Sequence, residues 1–398
     1  MKLYYENQYI KDFRAVVLDV KKIDEKFHIV LDNTAFFPGG GGQFCDLGFI
    51  ENKKVIDVYE EHGTIYHVLD CSLNKGQEVS CLIDWDRRLE GMQQHLGQHV
   101  LSGCFFKLFN ANTVGFHMGS DISTVDINGH LEEGQIREAE KKANEIIKNN
   151  IPVEFLLPTK EELKKLKLRR ALPKTNEAIR VVKIGDLDIN ACCGVHPQCT
   201  LELRAIKIRR WEKHKGATRI EYIAGTRAIE DYMIKDNILT EICRYLNCGE
   251  DSAVNAIKNL SSKVGELMEE NKKIRGALSQ YEIKALLDQG EKIKDLTIIK
   301  TIYENGDPKH ISKLATRLAE EEKAIVLFAT KDAKKANLIF TCSKGLKNVN
   351  MNDILKDSIT LIDGRGGGSP LLAQGAGKNI GNLEATMDYA LRKIKEKI

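Results

Sequence analysis

Long apolar runs are missing from the 398 residues: none approaches the roughly eighteen that a membrane-spanning helix requires. The opening stretch MKLYYENQYIKDF mixes charge with aromatics, so no secretory core is present. These absences exclude membrane insertion and predict a cytoplasmic protein. Net charge is nearly missing too, at +3, too little to demand a nucleic-acid partner and too little to oppose one. Ten cysteines without a secretory signal are not a disulfide framework, because the cytosol keeps thiols reduced. Any functional cysteine is therefore a metal ligand or a thiolate.

The length allows two or three domains. Residues 1–85 read as short strands, AVVLDV, KFHIVLD and KVIDVYEEHGTIYHVL, separated by Gly, Asn and Asp, a small barrel-like β domain. In DWDRRLEGMQQHLGQHVLSGCFFKLF (84–109), Leu89, Met92, Leu96, Val100, Leu101 and Phe105 recur at helical spacing and predict one helix with a buried face. STVDI, a helix around 132–149, a basic helix around 160–170, and strands in IRVVKIGDLDI, TLELRAIKI and TRIEYIAG complete an α+β pattern over 86–235.

Residues 236–292 read as a helical linker or dimerisation segment. Within it 253–287 contains no proline, and Leu260, Val264, Leu267, Asn271, Ile274, Leu278, Tyr281 and Ala285 alternate at spacings of four and three, a coiled-coil seam with Asn271 to set its register. A helix packed on its own domain satisfies the same pattern. Residues 293–398 predict an α/β domain whose clearest strands are KAIVLFAT, NLIFTCS and SITLIDG. The whole is an α+β multidomain chain.

HLGQH sets His95 and His99 at i and i+4 of the predicted helix, so both imidazoles leave one face about a turn apart. Alone such a pair says little. ACCGVHPQCT (191–200) adds thiolates and a third imidazole on a short segment, with Gly194 permitting a tight turn. Two His plus a Cys and a His are a zinc-competent set. Nearly a hundred residues separate the halves, whereas a zinc finger closes within about thirty. The ion is therefore expected between elements of one domain, at the floor of a cleft.

The His-x3-His helix, the later Cys-x3-His and the loop NTAFFPGGGGQFCDLG (33–48) resemble the editing domain of alanyl-tRNA synthetase and its freestanding relatives, the AlaX proteins. MQQHLGQHVLS, VGFHMGS, LPKTNEAIRVVKIGDLDINACCGVHP, LELRAIKIRRWEKHKGATRIEYIAG and DGRGGGSPLLAQGAG occur in that family's order. The last is similar to the glycine-rich motif of the DHH-associated domain that ends the synthetase and the long AlaX forms. Since the editing motifs start near residue 1, the resemblance leaves no room for an aminoacylation core and implies a chain that deacylates tRNA.

The resemblance implies a zinc-containing editing domain that hydrolyses an amino acid wrongly esterified to alanine tRNA, tRNA(Ala), chiefly serine and sometimes glycine. It implies Zn2+ on His95, His99, Cys192 and His196, with Cys192 preferred over Cys193 because it stands four positions before His196. The ion polarises the ester, activates water or orients the aminoacyl group. A closed four-coordinate site also fits a non-catalytic, zinc-stabilised tRNA-binding module. Thr34 matches a threonine that the family uses near the substrate side chain, and a site that must hydrogen-bond a hydroxyl discriminates far better than an apolar pocket. In the run Gly39–Gly42, Gly40 and Gly41 are expected to bring backbone amides to the ester oxygen, beside Gln43 as donor and acceptor. Asp46 is expected to brace that loop. Leu96 stands where relatives carry a small or hydroxyl residue, which would make the pocket more apolar.

Two basic runs offer phosphate contacts, KEELKKLKLRR with Lys164, Lys165, Arg169 and Arg170, and KIRRWEKHKGATR with Arg209 and Arg210. GRGGGSPLLAQGAG, after the expected strand SITLIDG and before a helix near 382–396, offers Arg365, Gly366, Gly367 and Gly368 as an anion-binding loop. The expected partners are mischarged tRNA(Ala) and a second copy of the chain, joined through the helical or C-terminal region.

Overall fold

The computed structural model describes residues 1–172, 178–321, 323–346 and 348–398. Part of the motif LPKTNEAIR, residues 173–177, lies outside them. The chain divides into two compact units, 1–250 and 251–398.

The first unit opens with the short helix α1 (Leu3–Glu6) and the strands β1 (Asp12–Ile23), β2 (Lys26–Leu31), β3 (Gly48–Ile50), β4 (Lys53–Glu61), β5 (Thr64–Leu69) and β6 (Glu78–Ile83). They close an antiparallel barrel in the order β1-β2-β5-β4-β3-β6, which removes open sheet edges. Alternation dictates the inside: Val79, Cys81 and Ile83 of β6 point in with Ala15, Val17, Ile29, Val55 and Leu69. Asp24 and Glu25 both adopt left-handed backbone, as the two-residue hairpin between β1 and β2 requires.

Helix α2 (Trp85–Phe109) starts at Asp84, whose side chain caps it through the Arg87 amide. From Gly91 to Phe105 it is buried all round, more than the one-sided burial its periodicity predicts. Around it lie β7 (Thr113–Met118), β8 (Ser123–Asn128), α3 (Glu133–Lys148), β9 (Val153–Leu156), α4 (Lys160–Lys165), β10 (Val181–Ile184), β11 (Asp188–Ala191), β12 (Ile206–His214), β13 (Ala217–Ala224) and α5 (Gly225–Leu246). One sheet runs β11-β10-β9, another β12-β13-β8-β7. Leu96, Val100, Leu101 and Phe105 join Ile127, Ile136, Ile184, Ile220 and Tyr222 in one apolar core. Leu96 thus fills the core.

The basic helix is shorter than expected. It stops at Lys165, Leu166 is extended, and the chain then runs beside β11, where the Arg169 amide bonds the Ile189 carbonyl. TLELRAIKI begins as a 3-10 turn, Thr200–Leu203, and becomes strand only at Ile206, after Arg204 adopts left-handed backbone.

The second unit contains α6 (Ala253–Gln289), β14 (Glu291–Ile293), β15 (Leu296–Glu304), α7 (Pro308–Glu321), β16 (Ala324–Lys331), β17 (Ala336–Cys342), α8 (Met351–Ile359), β18 (Arg365–Gly368), β19 (Leu372–Gly377) and α9 (Leu383–Lys395). Its six-stranded sheet has the order β14-β15-β16-β17-β19-β18, and among the described residues only β15 and β16 pair in parallel, across the α7 crossover. SITLIDG is not a strand. Ile354, Leu355, Ile359 and Ile362 are buried at helical spacing, so the segment ends α8 and continues as a 3-10 turn. The expected glycine-rich loop is instead the edge hairpin β18-β19. In α6 the seam positions face solvent, Leu260 at 56% and Tyr281 at 76% exposure. No helix among the described residues is long and apolar enough to cross a membrane.

Candidate metal centre

His95 and His99 leave one face of α2, and Cys192 and His196 lie on the loop that follows β11. One ligand atom from each of the four lies within 4.8 Å of the others. Cys192 Sγ is 3.6 Å from His95 Nε2 and 3.7 Å from His196 Nε2. Thiolate and imidazole bonds of about 2.3 and 2.05 Å to a tetrahedral ion would separate sulfur and nitrogen by about 3.6 Å. His99 Nε2 is buried with no hydrogen-bond partner. The spacing, the orphaned nitrogen and the donor set therefore fit a metal ion.

Each helical ligand is held from behind. His95 Nδ1 lies 3.0 Å from Gln43 Oε1, which also accepts from the Val195 amide at 3.0 Å. An amide oxygen only accepts, so Nδ1 carries the hydrogen and Nε2 faces the cluster as a lone pair. His99 Nδ1 lies 2.7 Å from Asp188 Oδ2, and Asp188 Oδ1 receives Arg169 Nε at 2.7 Å. Arg169 continues to Thr113 Oγ1, which donates to Ser102 Oγ.

Electrostatics follow the same contacts. Burial pushes the Asp188 carboxyl up, but His99 and Arg169 outweigh it and hold the group below its usual range. Burial likewise opposes ionisation of Cys192, yet three facing imidazoles bring its thiol well below the ordinary value. Burial drives His196 down to about 3, which keeps it neutral as a ligand must be.

The glycine run passes over His95. Gly39 through Gly42 all have positive φ, and side chains at Gly40 and Gly41 would meet the Cys193 sulfur at 3.3 Å. Gly194 is required for a different reason from the expected turn: a Cβ there would lie 2.3 Å from His95 Nδ1. The Gly40 amide closes a turn onto the Gln43 carbonyl at 2.9 Å, so it is not open to a substrate oxygen. Among the described residues the Gly41 amide has no acceptor. Asp46 braces the loop through Arg88 and the Phe37 amide. Thr34 is buried in the barrel, where its hydroxyl meets His67 Nε2 at 2.9 Å and accepts from the Phe36 amide at 3.0 Å. Cys193 is exposed, its carbonyl bonded to the Tyr5 hydroxyl, and Cys199 is half-buried.

Lys164, Lys165 and Arg170 are exposed, as a phosphate contact needs. Arg169 is not: it is 8% exposed and committed to Asp188, because the chain leaves helix at Leu166 and turns that side chain inward. Arg209 is exposed and paired with Asp231, Arg210 with Glu212 at 3.2 Å. Arg365, Gly366 and Gly368 are exposed on the edge strand, and Gly367 is half-buried there. Sequence reasoning did not assign Asp188 or the positioning role of Gln43. A carboxylate on the strand entering the ligand loop was the available signal for the first.

Matching domains place the chain among synthetase-related proteins. Residues 3–87 match tRNA synthetases class II (A), 179–221 the threonyl and alanyl tRNA synthetase second additional domain, and 295–397 the DHHA1 domain. A barrel, a glycine loop and a buried His3Cys cluster joined to such domains define an aminoacyl-tRNA editing protein. The alanyl-tRNA editing protein AlaX-L of Pyrococcus horikoshii is 33% identical over 99% of this chain and 98% of its own length. The chain belongs to this AlaX-L family of alanyl-tRNA editing proteins, which are aminoacyl-tRNA deacylases. The alanine–tRNA ligase of Methanobrevibacter smithii is 28% identical over 98% of this chain, which spans 45% of that ligase. The C-Ala domain of Aquifex aeolicus alanyl-tRNA synthetase covers 27% of the chain at 28% identity, with a TM-score of 0.24.

Proposed function

We propose that the chain releases serine, and secondarily glycine, from mischarged tRNA(Ala) at a Zn2+ site formed by His95, His99, Cys192 and His196. The convergence of these four donors, the three histidines buried and Cys192 half-buried, carries the reading, and full-length kinship to an alanyl-tRNA editing protein supports it. Zinc there supplies Lewis-acid polarisation of the ester or of a water. The protein's own groups do the rest. Gln43 and Asp188 fix the faces that His95 and His99 turn to the cluster. The Gly41 amide offers a donor beside His95, with Gly40 shaping the turn that presents it. Thr34 senses the serine hydroxyl: its own hydrogen is given to His67, so it has only a lone pair to offer, which a serine donates to and an alanine cannot.

Lys164, Lys165, Arg170, Arg209 and Arg210 neutralise tRNA phosphates near the centre, and Arg365 with Gly366, Gly367 and Gly368 makes a further contact. The apolar seam of α6 supports a homodimer, which sedimentation of the intact chain tests: a monomer at micromolar concentration sinks that part. The protein works in the cytoplasm.

The decisive assay follows ester loss from seryl-, glycyl- and alanyl-tRNA(Ala), with and without a chelator. Release of serine and glycine above alanine supports editing, and no release above background sinks it. Loss of release on zinc removal supports a catalytic ion. Full release by a zinc-free His95→Ala variant would make the ion structural.

A further inference from the structure

Arg180 lies directly against the ligand loop. Its Nη1 donates to the Gly194 carbonyl at 2.7 Å and to the Cys192 carbonyl at 3.4 Å. Its backbone carbonyl accepts from the Cys192 amide at 3.0 Å. The guanidinium is flanked by two rings, Tyr5 at 4.8 Å and Phe155 at 4.5 Å. Carbonyls and rings together leave the planar group little freedom.

What the guanidinium lacks is a carboxylate partner. Arg88, Arg169, Arg219 and Arg227 of the same unit each pair with a carboxylate, and among the described residues Arg180 pairs with none. Guanidinium carries five N–H donors. Two belong to Nη1. Those on Nε and Nη2 have no acceptor among the described residues. Nε–H and the adjacent Nη2–H form the edge of the fork that matches two oxygens of a phosphate or carboxylate. A half-buried cation, rigidly held, with this edge unpaired among the described residues and its other nitrogen on the loop of the candidate metal ligands, is a prepared anion site.

The anion that must come here is set by the substrate. An aminoacyl ester on a terminal ribose brings a phosphodiester one ribose away from the reacting carbonyl. We propose that Arg180 is the clamp for that phosphodiester, anchoring the acceptor end of the tRNA while the ester lies over the His95–Cys192 cluster. The assignment rests on the tRNA-deacylase reading above. A free carboxylate of the amino acid is not the alternative, since esterification has consumed it. The two rings are covered by the guanidinium on the faces they turn to it, so base stacking is not their task at this point.

The test uses the intact, metal-loaded chain and the non-aminoacylated trinucleotide CCA, which carries the phosphodiesters and no aminoacyl ester. Wild type, Arg180→Gln and Arg180→Lys are compared by titration at several salt concentrations, with bound metal measured in each. The expected result is that Arg180→Gln weakens trinucleotide binding at least tenfold, lowers the slope of log affinity against log salt by about 0.7, and keeps its metal. Arg180→Lys restores part of the affinity, as a point charge without the fork. Binding of the Gln variant within twofold of wild type overturns the clamp. So does loss of metal in that variant, which would make Arg180 a prop of the ligand loop, and so does a wild type that does not bind CCA. Because binding is read without hydrolysis, a protein that holds CCA through Arg180 yet releases no serine would fail as a deacylase and retain the clamp.

Discussion

His99 Nδ1 sits 2.7 Å from Asp188 Oδ2, across 89 residues of sequence. Asp188 is almost completely buried, and its other oxygen takes the guanidinium of Arg169. One carboxylate thereby neutralises a buried cation and aims a candidate metal ligand. Asp188→Asn should lower metal affinity about 10- to 100-fold, the usual effect of losing such a partner, measured by competition with a chelator. It should also cost about 3–5 kcal/mol of stability, because Arg169 is left as an uncompensated interior charge, measured by urea unfolding. Adding Arg169→Met should return part of the stability and none of the affinity. Wild-type values for both quantities in Asp188→Asn would refute the shared role.

Why the four clustered residues were legible and their supports were not is a matter of range. His95 and His99 are set by helix periodicity, and Cys192 and His196 by a short loop, so spacing alone constrains them. Asp188 meets His99 only after β11 folds back against α2, and no spacing rule covers that contact. Arg169 misled for a related reason. In a run of lysines and arginines it reads as a solvated helical face, and only the extended backbone from Leu166 turns it inward. The barrel strands followed from alternation, whereas the order β1-β2-β5-β4-β3-β6 is a tertiary fact. SITLIDG failed because a short apolar run has no resolvable period: Ile359 and Ile362 serve a helical face as readily as a strand.

Cys192 and Cys193 are neighbours with opposite surroundings. The first puts its sulfur between His95 and His196, while the second is exposed and packs near Gly40 and Gly41. Cys192→Ala should abolish stoichiometric metal binding and deacylation together. Cys193→Gly should keep both, since its sulfur is outside the cluster. Metal analysis of the two purified variants decides it, and a reversed pattern would move the ligand to Cys193.

His67 ties stability to pH. Its Nδ1 faces the Ile29 carbonyl at 3.0 Å and so donates, leaving Nε2 to accept from Thr34. Burial lowers its pKa from 6.5 to about 4, the Ile29 contact acting weakly the other way. A folded pKa below the unfolded one means that the unfolded chain binds the proton first as pH falls. The stability contribution is thus complete above pH 6.5 and is lost between about 6.5 and 4, for a total of about 3 kcal/mol. Urea unfolding at pH 7, 5.5 and 4.5 should show a steeper acid loss in wild type than in His67→Gln. Parallel profiles would mean that His67 does not stay neutral in the fold.

The basic run 160–170 should split into two kinds of residue under mutation. Lys164 and Lys165 are exposed and, in the proposed tRNA contact, act on phosphates through charge alone. Replacing both by Ala should weaken binding of tRNA(Ala) similarly for charged and uncharged forms, and should lower the salt slope by about 0.9 for each duplex phosphate that is no longer neutralised, with metal content untouched. Arg169, three residues beyond Leu166, spends its charge on Asp188 and meets Thr113. Arg169→Lys should therefore leave the salt slope at the wild-type value while loosening the metal, because an ammonium cannot reproduce the fork that spans Asp188 and Thr113. Filter binding across a salt series, beside chelator competition, separates the two. If Arg169→Lys changes the slope and spares the metal, that guanidinium reaches phosphate and its inward pairing is not what it does in solution.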